Sequence, residues 1–336
     1  MVDVLAGREF VDRLSSPAAL EELLERKPPL LVIDLDDLAD LAGDLGDNVE
    51  RLLALPIVVA GVGSPEAGRA PAAVLADVIV GYDVAEFARI EGTIDRNPCA
   101  ATALAVLLRA GVGRSVGEGL VAESAVYSML QAGPEFQTWR NGRARRARAA
   151  EVGRAVRIER DGDRLHVTLT RPALHNALNT RMRDELYDAL LVAASDPVLR
   201  VVLDGEGPSF CAGGDLDEFG TRSDPASAHL IRLRRSVGRL LASIADRVEV
   251  VVHGACIGSG IELPAFASRV VARPDARFGL PEVGLGLIPG AGGTVSVTHR
   301  IGRHRTAYLA LSGETIDAST ALSWGLVDGI AAADVS

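Results

Sequence analysis

The sequence predicts an α/β fold. Short apolar runs of strand length alternate with segments of helical periodicity. Glycine-containing turns follow the apolar runs, where α/β proteins build their sites. The rhythm runs thinly before about residue 140 and fully after about residue 155, so the 336 residues read as two units, 1–150 and 151–336.

In the first unit Leu30–Leu35 (LLVIDL), Pro56–Val62 (PIVVAGV) and Asp77–Val80 (DVIV) read as strands, and Asn48–Leu55 as a helix. From Ala85 to about Arg146 the pattern is helical throughout. The boundary is marked by Arg140, Arg143, Arg145, Arg146, Arg148, Arg154, Arg157 and Arg160. This run reads as a solvated linker or helix face, with an anion site as the alternative. Beyond it, residues 156–172 alternate like a hairpin turning at Asp161–Asp163. Thr180–Ala194 is helical, with Leu186, Ala189, Leu190 and Ala193 on one face. Arg200–Asp204 is a strand, 228–246 an amphipathic helix, Val248–His253 a second strand and Val270–Val271 the centre of a third.

Hydrophobic residues make up 48% of the chain, enough for a substantial core, and the net charge is −10, which disfavours nucleic-acid partners. No apolar run approaches the ~18 residues of a membrane span, and MVDVLAGREFVDRL is no signal peptide. Cys99, Cys211 and Cys256 lack metal or redox spacing. They read as buried apolar filler in a cytoplasmic protein. Neither a metal nor a redox cofactor is expected.

Chemistry concentrates between His253 and Thr294. Glu262 lies among Ile261, Leu263, Ala265 and Phe266, and Glu282 among Leu280, Pro281 and Val283. A carboxylate in an apolar segment is costly unless paired, hydrogen-bonded or used, so the two read as a general acid/base pair. Three glycine turns accompany them: Phe210-Cys-Ala-Gly-Gly-Asp-Leu216, Gly258-Ser-Gly-Ile-Glu262, and the run from Gly284 to Gly293. Glycine turns let N–H groups approach a ligand closely. Two such groups from two loops can hold a carbonyl oxygen that gains negative charge. This is equipment for enolate chemistry on a thioester.

With these pieces in this order, residues from about 155 to 330 resemble the crotonase superfamily, the enoyl-CoA hydratase/isomerase family. Further matching pieces are Arg171-Pro172, Asn176-Ala177-Leu178, Val201 to Gly207, Phe278-Gly-Leu-Pro-Glu282, Gly286 to Thr294 and Trp324-Gly-Leu-Val-Asp328. The resemblance implies a spiral core of repeated ββα turns, an acyl-CoA substrate, and a homotrimer or dimer of trimers. It places the oxyanion hole on the N–H groups of Gly214 and Ser259, and substrate contacts on Asn176, Ala177, Leu178, Ala212, Asp215 and Gly258. Glu262 would help activate water and Glu282 deliver the α-proton, because family hydratases keep both glutamates. The activity implied is syn addition of water to a 2-enoyl-CoA. Alternatives are double-bond isomerisation, thioester hydrolysis, or a non-catalytic acyl-CoA-binding or partner subunit. Ser259 replaces a usual glycine, Pro264 a usual alanine, and Ala267-Ser268 a usual Cys-Asp further along the same helix. His253 stands where asparagine is common and reads as a packed structural histidine.

The family normally continues for some tens of residues past the Gly-Leu-Val-Asp element, in helices that cover the acyl pocket. Here eight residues follow Asp328. A similar pattern stands ahead of the core: Ile94-Asp-Arg-Asn-Pro98, Gly119-Leu-Val-Ala-Glu123, Tyr127, Pro134-Glu-Phe136, Trp139-Arg140 and Arg143. The first unit is therefore read as a degenerate crotonase-like lobe whose helices cap the core's pocket, in the same chain or a neighbour. The other reading is an unrelated α/β lobe. Phe219, Phe266 and Tyr127 are candidate pocket walls.

Overall fold

The computed structural model describes residues 4–38, 45–53, 55–144, 153–221 and 224–332. The first unit opens with a four-stranded parallel sheet, β1 (Val4–Leu5), β2 (Leu30–Asp34), β3 (Val58–Val62) and β4 (Val78–Val80), paired in chain order. Helices α1 (Gly7–Leu14), α2 (Pro17–Leu24) and α3 (Gly46–Leu53) lie between its strands in the chain. The strands are apolar without alternation because both faces are buried. Leu31 and Ile33 pack with Phe10, Leu14 and Leu23, whereas Leu30 and Val32 belong to the core shared with the rest of the molecule.

Four helices follow: α4 (Val84–Arg96), α5 (Pro98–Arg109), α6 (Val116–Gln131) and α7 (Pro134–Asn141). Their boundaries follow from the sequence. The Asp83 side chain caps α4, Pro98 opens α5, Ser115 and Glu118 form a capping box on α6, and Pro134 opens α7.

The second unit begins with the expected hairpin, β5 (Val156–Asp161) and β6 (Arg164–Leu169). Then come α8 (Thr180–Ser195), β7 (Arg200–Gly205), α9 (Pro225–Arg234), α10 (Val237–Ser243), β8 (Val248–Val252), β9 (Ala255–Ile257), α11 (Ser259–Glu262), β10 (Arg269–Ala272), β11 (Arg277–Gly279), α12 (Gly293–Ser312), β12 (Ile316–Asp317), α13 (Ala318–Trp324) and β13 (Gly329–Ile330). One sheet has the order β13-β10-β8-β7-β6-β5, and a smaller one the order β12-β11-β9. Two successive turns of chain give one strand to each sheet and then a helix, β8-β9-α11 and β10-β11-α12.

Several expectations are corrected. The helix expected over 228–246 is two, α9 and α10. Arg235 leaves helical geometry and the Ser236 hydroxyl caps the second helix through Arg239 N–H. The helix opened at Ser259 does not continue to Ala267-Ser268: Pro264–Phe266 is a 3-10 turn and Ala267 is extended. Cys99 is exposed, because it sits on the first turn of α5; Cys211 and Cys256 are buried as expected. Arg145, Arg146 and Arg148 lie outside the described residues. Arg143 reaches Asp217 at 3.5 Å, Arg140 bonds Gly220 O, Arg157 pairs with Glu206, and Arg160 lies 3.6 Å from Asp196.

α12 joins the two units. It packs against α4, α5 and β4. A buried polar hub sits at this junction. Asp77 accepts Arg109 Nε at 2.6 Å and Val59 N–H at 2.8 Å, and Arg303 of α12 lies 3.6 Å away. The rest of the Arg109 guanidinium is taken by the Leu52, Leu55 and Ile57 carbonyls. Asp77 is 2% exposed, so its removal strands a buried guanidinium. Asp77→Ala is expected to lower unfolding stability by about 3–5 kcal/mol, measured by urea denaturation; a loss under about 1 kcal/mol would contradict this account of the junction.

Candidate active site

The chain from Gly286 to Gly292 runs into the N-terminus of α12. The first N–H groups of a helix have no partner within it and carry its positive end. Two buried glutamates take them alternately. Glu262 Oε2 accepts Ala291 N–H at 2.7 Å and Gly293 N–H at 2.8 Å. Glu123 Oε1 accepts Gly292 N–H at 2.7 Å, while its Oε2 accepts Thr294 N–H at 2.9 Å and the Thr294 hydroxyl at 2.6 Å. Glu262 stands on the one-turn α11, whose carbonyl also accepts the Ser296 hydroxyl at 2.6 Å. Gly293 has to be glycine, since a Cβ there would lie 2.7 Å from Glu262 Cγ.

Glu282 follows β11 at the head of a 3-10 turn. Its Oε1 lies against Gly258, where φ is 51° and an added Cβ would overlap it. Its Oε2 is buried with no hydrogen-bond partner among the described residues. All three carboxyls are shifted upward, and burial is the main cause. Glu262 reaches about 7, held there against the opposing pull of the Ala291 and Gly293 N–H groups. Glu123 reaches about 8, through burial and then the charge of Glu262, with the Thr294 and Gly292 bonds pulling back. Glu282 is held well above the usual carboxylate range by burial, then by Glu262. Against these only its own backbone N–H pulls back.

Beside the carboxyls are the two expected amides. Gly214 bridges Leu178, yet the bridge uses Leu178 N–H to Gly213 O and Asp215 N–H to Leu178 O, which leaves Gly214 N–H without a partner among the described residues. Ser259 is the first residue of α11, so its N–H has no partner within that helix. Its hydroxyl lies 3.7 Å from Cys211 Sγ.

These groups line one cleft of about 280 Å³, at the small end for ligand pockets. Glu262, Glu282, Gly214, Ser259, Leu178 and Asp215 are in its lining, as are Phe219 and Tyr127. Asn176, Ala177, Ala212, Gly258 and Phe266 are not. The Asn176 side chain braces the backbone, accepting Arg171 N–H and donating to Glu206 O and Ser209 O. Asp215 is paired with buried Arg171 at 3.0 Å. His253 Nε2 lies 2.9 Å from Gly207 O, in the structural role expected of it. The first unit reaches the cleft in the same chain: Leu120, Glu123, Tyr127 and Gln131 of α6 form a stripe along it. Glu123 is the site residue that sequence reasoning missed. Its signal was present, a glutamate on the same helix face as Leu120 and Tyr127.

Fold and site together define an α/β protein with a cluster of buried carboxyls facing free amides. A family model for enoyl-CoA hydratase/isomerase matches residues 162–335, and the chain belongs to that family. It is 37% identical to the 2,3-dehydroadipyl-CoA hydratase of Escherichia coli (strain K12), over 51% of this chain and 67% of that protein. It is 35% identical to the mevalonyl-coenzyme A hydratase SIDH of Beauveria bassiana (strain ARSEF 2860), over 49% of this chain and 62% of that one. The crystal structure of enoyl-CoA hydratase from Thermoplasma volcanium GSS1 is 36% identical and superposes with a TM-score of 0.50, covering 53% of this chain and 72% of that one. The chain thus spans about two thirds of the length of these curated relatives. No helix among the described residues is long and apolar enough to cross a membrane.

Removing Glu123 strands the Gly292 and Thr294 donors in a buried setting, at about 1–3 kcal/mol for each unsatisfied group. Glu123→Ala is expected to lose roughly 3 kcal/mol of unfolding stability, read by urea denaturation. Retention of full stability would mean that Glu123 does not secure the head of α12.

Proposed function

We propose that this protein hydrates 2-enoyl-CoA thioesters by syn addition of water through an enolate. The observation that carries the reading is the unequal setting of the two glutamates. Hydration needs one carboxylate charged, to take a proton from water, and one protonated, to give a proton to the α-carbon. Glu262 accepts two backbone N–H groups, which favour its charged form. Glu282 Oε2 accepts none and lies beside two other acids, which favours its neutral form.

In this mechanism the thioester carbonyl oxygen sits between the Gly214 and Ser259 N–H groups, which stabilise it as it becomes an enolate oxygen. Glu262 takes a proton from water while the hydroxyl oxygen bonds the β-carbon and the π electrons move onto the carbonyl oxygen. Glu282 then protonates the α-carbon. The product site holds Glu262 protonated and Glu282 ionised: the negative charge passes from Glu262 to the enolate oxygen and then to Glu282, so the net charge of the site is unchanged while the pair has exchanged its proton. The Thr294 hydroxyl can accept as well as donate, so Glu123 keeps its contacts in either protonation state. Helices α5 to α7 take the place of the covering tail in this proposal, which treats the first unit as a degenerate copy of the core.

With a short 2-enoyl-CoA, the protein is expected to bleach the conjugated thioester absorbance. Glu282→Gln and Glu262→Gln should each lower kcat by at least about a hundredfold, the usual weight of a positioned acid or base. No bleaching across several acyl groups would refute the reading, and release of free thiol would point to hydrolysis instead. The rate should follow a bell in pH. It climbs as Glu262 ionises near pH 7 and falls once Glu282 loses its proton at higher pH, with apparent values belonging to the coupled pair. A flat profile between pH 5 and about 8 would contradict the assignment.

A further inference from the structure

The cleft carries one charge that hydration does not use. Arg183, Arg232 and Arg235 all line it. Arg183 lies 2.8 Å from Asp184, and Arg235 lies 3.0 Å from Asp188. Arg232 has no carboxylate partner among the described residues. Its Nη2 donates to Ser128 Oγ at 2.5 Å, its Nε is buried without an acceptor, and its guanidinium carbon stands 4.5 Å from the centre of the Tyr127 ring. The glutamate that most influences it, Glu123, has both oxygens committed to α12. Arg232 as a whole is half-buried, but a buried guanidinium N–H left without an acceptor is costly until a ligand supplies one.

Its position shows which part of a ligand it would meet. Arg232 lies on α9 one turn beyond Ala228, and both face the cleft opposite the α6 stripe. The Tyr127 ring packs against Gly290, next to the amides that Glu262 holds, and carries Arg232 over its face. Arg232 is therefore spaced from the carboxyl cluster by one aromatic ring. Behind it, outside the cleft's lining, His229 Nδ1 lies 2.9 Å from Ser124 Oγ, beside Ser128. In the cleft itself Arg232 is set among apolar neighbours, Ala228, Ile231 and Leu233.

We propose, resting on the hydration reading, that Arg232 selects the acyl group and that the substrate is an acyl-CoA whose chain ends in a carboxylate a few carbons beyond the double bond. The planar fork of arginine meets a carboxylate through two parallel N–H bonds, and the Tyr127 face holds the fork in place. A neutral chain leaves Arg232 Nε without an acceptor, so selection acts against it as well.

The test compares kcat/KM for 2-hexenoyl-CoA with that for the CoA monothioester of 2-hexenedioic acid, on the native protein, Arg232→Gln and Arg232→Lys. The native protein should favour the acid at least about tenfold, the weight of one charge-assisted hydrogen-bonded pair. Arg232→Gln should bring the ratio to near one. Arg232→Lys should hold an intermediate ratio, which a merely misfolded variant would not. Equal kcat/KM for the two thioesters in the native protein would overturn the proposal, as would an unchanged ratio in Arg232→Gln or a preference for a hydroxyl-ended chain. If no thioester is hydrated, the hydration reading falls separately. Calorimetric binding of hexanoyl-CoA against the CoA monothioester of adipic acid then decides the role of Arg232: tighter binding of the acid, lost in Arg232→Gln, supports it, and equal binding overturns it.

Discussion

The rest of the structure depends on how the head of α12 is held. A helix N-terminus presents a row of N–H groups, and here two carboxyls from opposite units take alternate ones: Ala291 and Gly293 go to Glu262, Gly292 and Thr294 to Glu123. Glu262 is thereby fixed in direction, with one oxygen committed to the helix. Beyond a break at Gly302, where φ is 80°, the second half of α12 carries Arg303 to the Asp77–Arg109 hub. α12 is thus tied to the first unit at two places, and the cleft has its shape only when both units are present. The large shared core, which runs from Leu30 and Val32 through Phe136 to Leu280, supports the same conclusion.

Burial of three acids in one cleft makes protonation part of the architecture. Three unshielded negative charges at close quarters would be prohibitive, so protons are retained near neutral pH. Donor count separates Glu262, which has two backbone donors to one oxygen, from Glu282, which has no partner on Oε2 among the described residues. Glu123 takes three donors, yet the charge of Glu262 beside it lifts it further. The positive-φ glycine at 258 serves the same end, because it lets Glu282 come close without a side chain in the way.

Much of this was legible in the sequence. Glu262 and Glu282 stood out because they broke an apolar pattern. The strands of the first unit stood out because burial on both faces leaves no polar residue between apolar ones. Glu123 did not stand out, since a glutamate on a capped helix looks like solvent-facing charge until the partner of that helix is known. Arg232 was hidden for the same reason, in a basic turn with Arg234 and Arg235. The break at Ser236 was lost because apolar periodicity continues across it and only the capping hydroxyl marks the new start. α1 was missed because half of Gly7–Leu14 is charged, and its buried face is carried by Phe10 and Leu14 with Gly7 and the half-buried Val11.

The central claim is that the two glutamates divide the proton work, Glu262 toward water and Glu282 toward the α-carbon. It is tested most directly by following α-hydrogen exchange of a bound saturated acyl-CoA in D2O by proton NMR. Exchange needs only the group that faces the α-carbon and the amides that hold the enolate. The account predicts that Glu262→Gln still exchanges the α-hydrogen while Glu282→Gln does not. Exchange surviving in Glu282→Gln and lost in Glu262→Gln would contradict it.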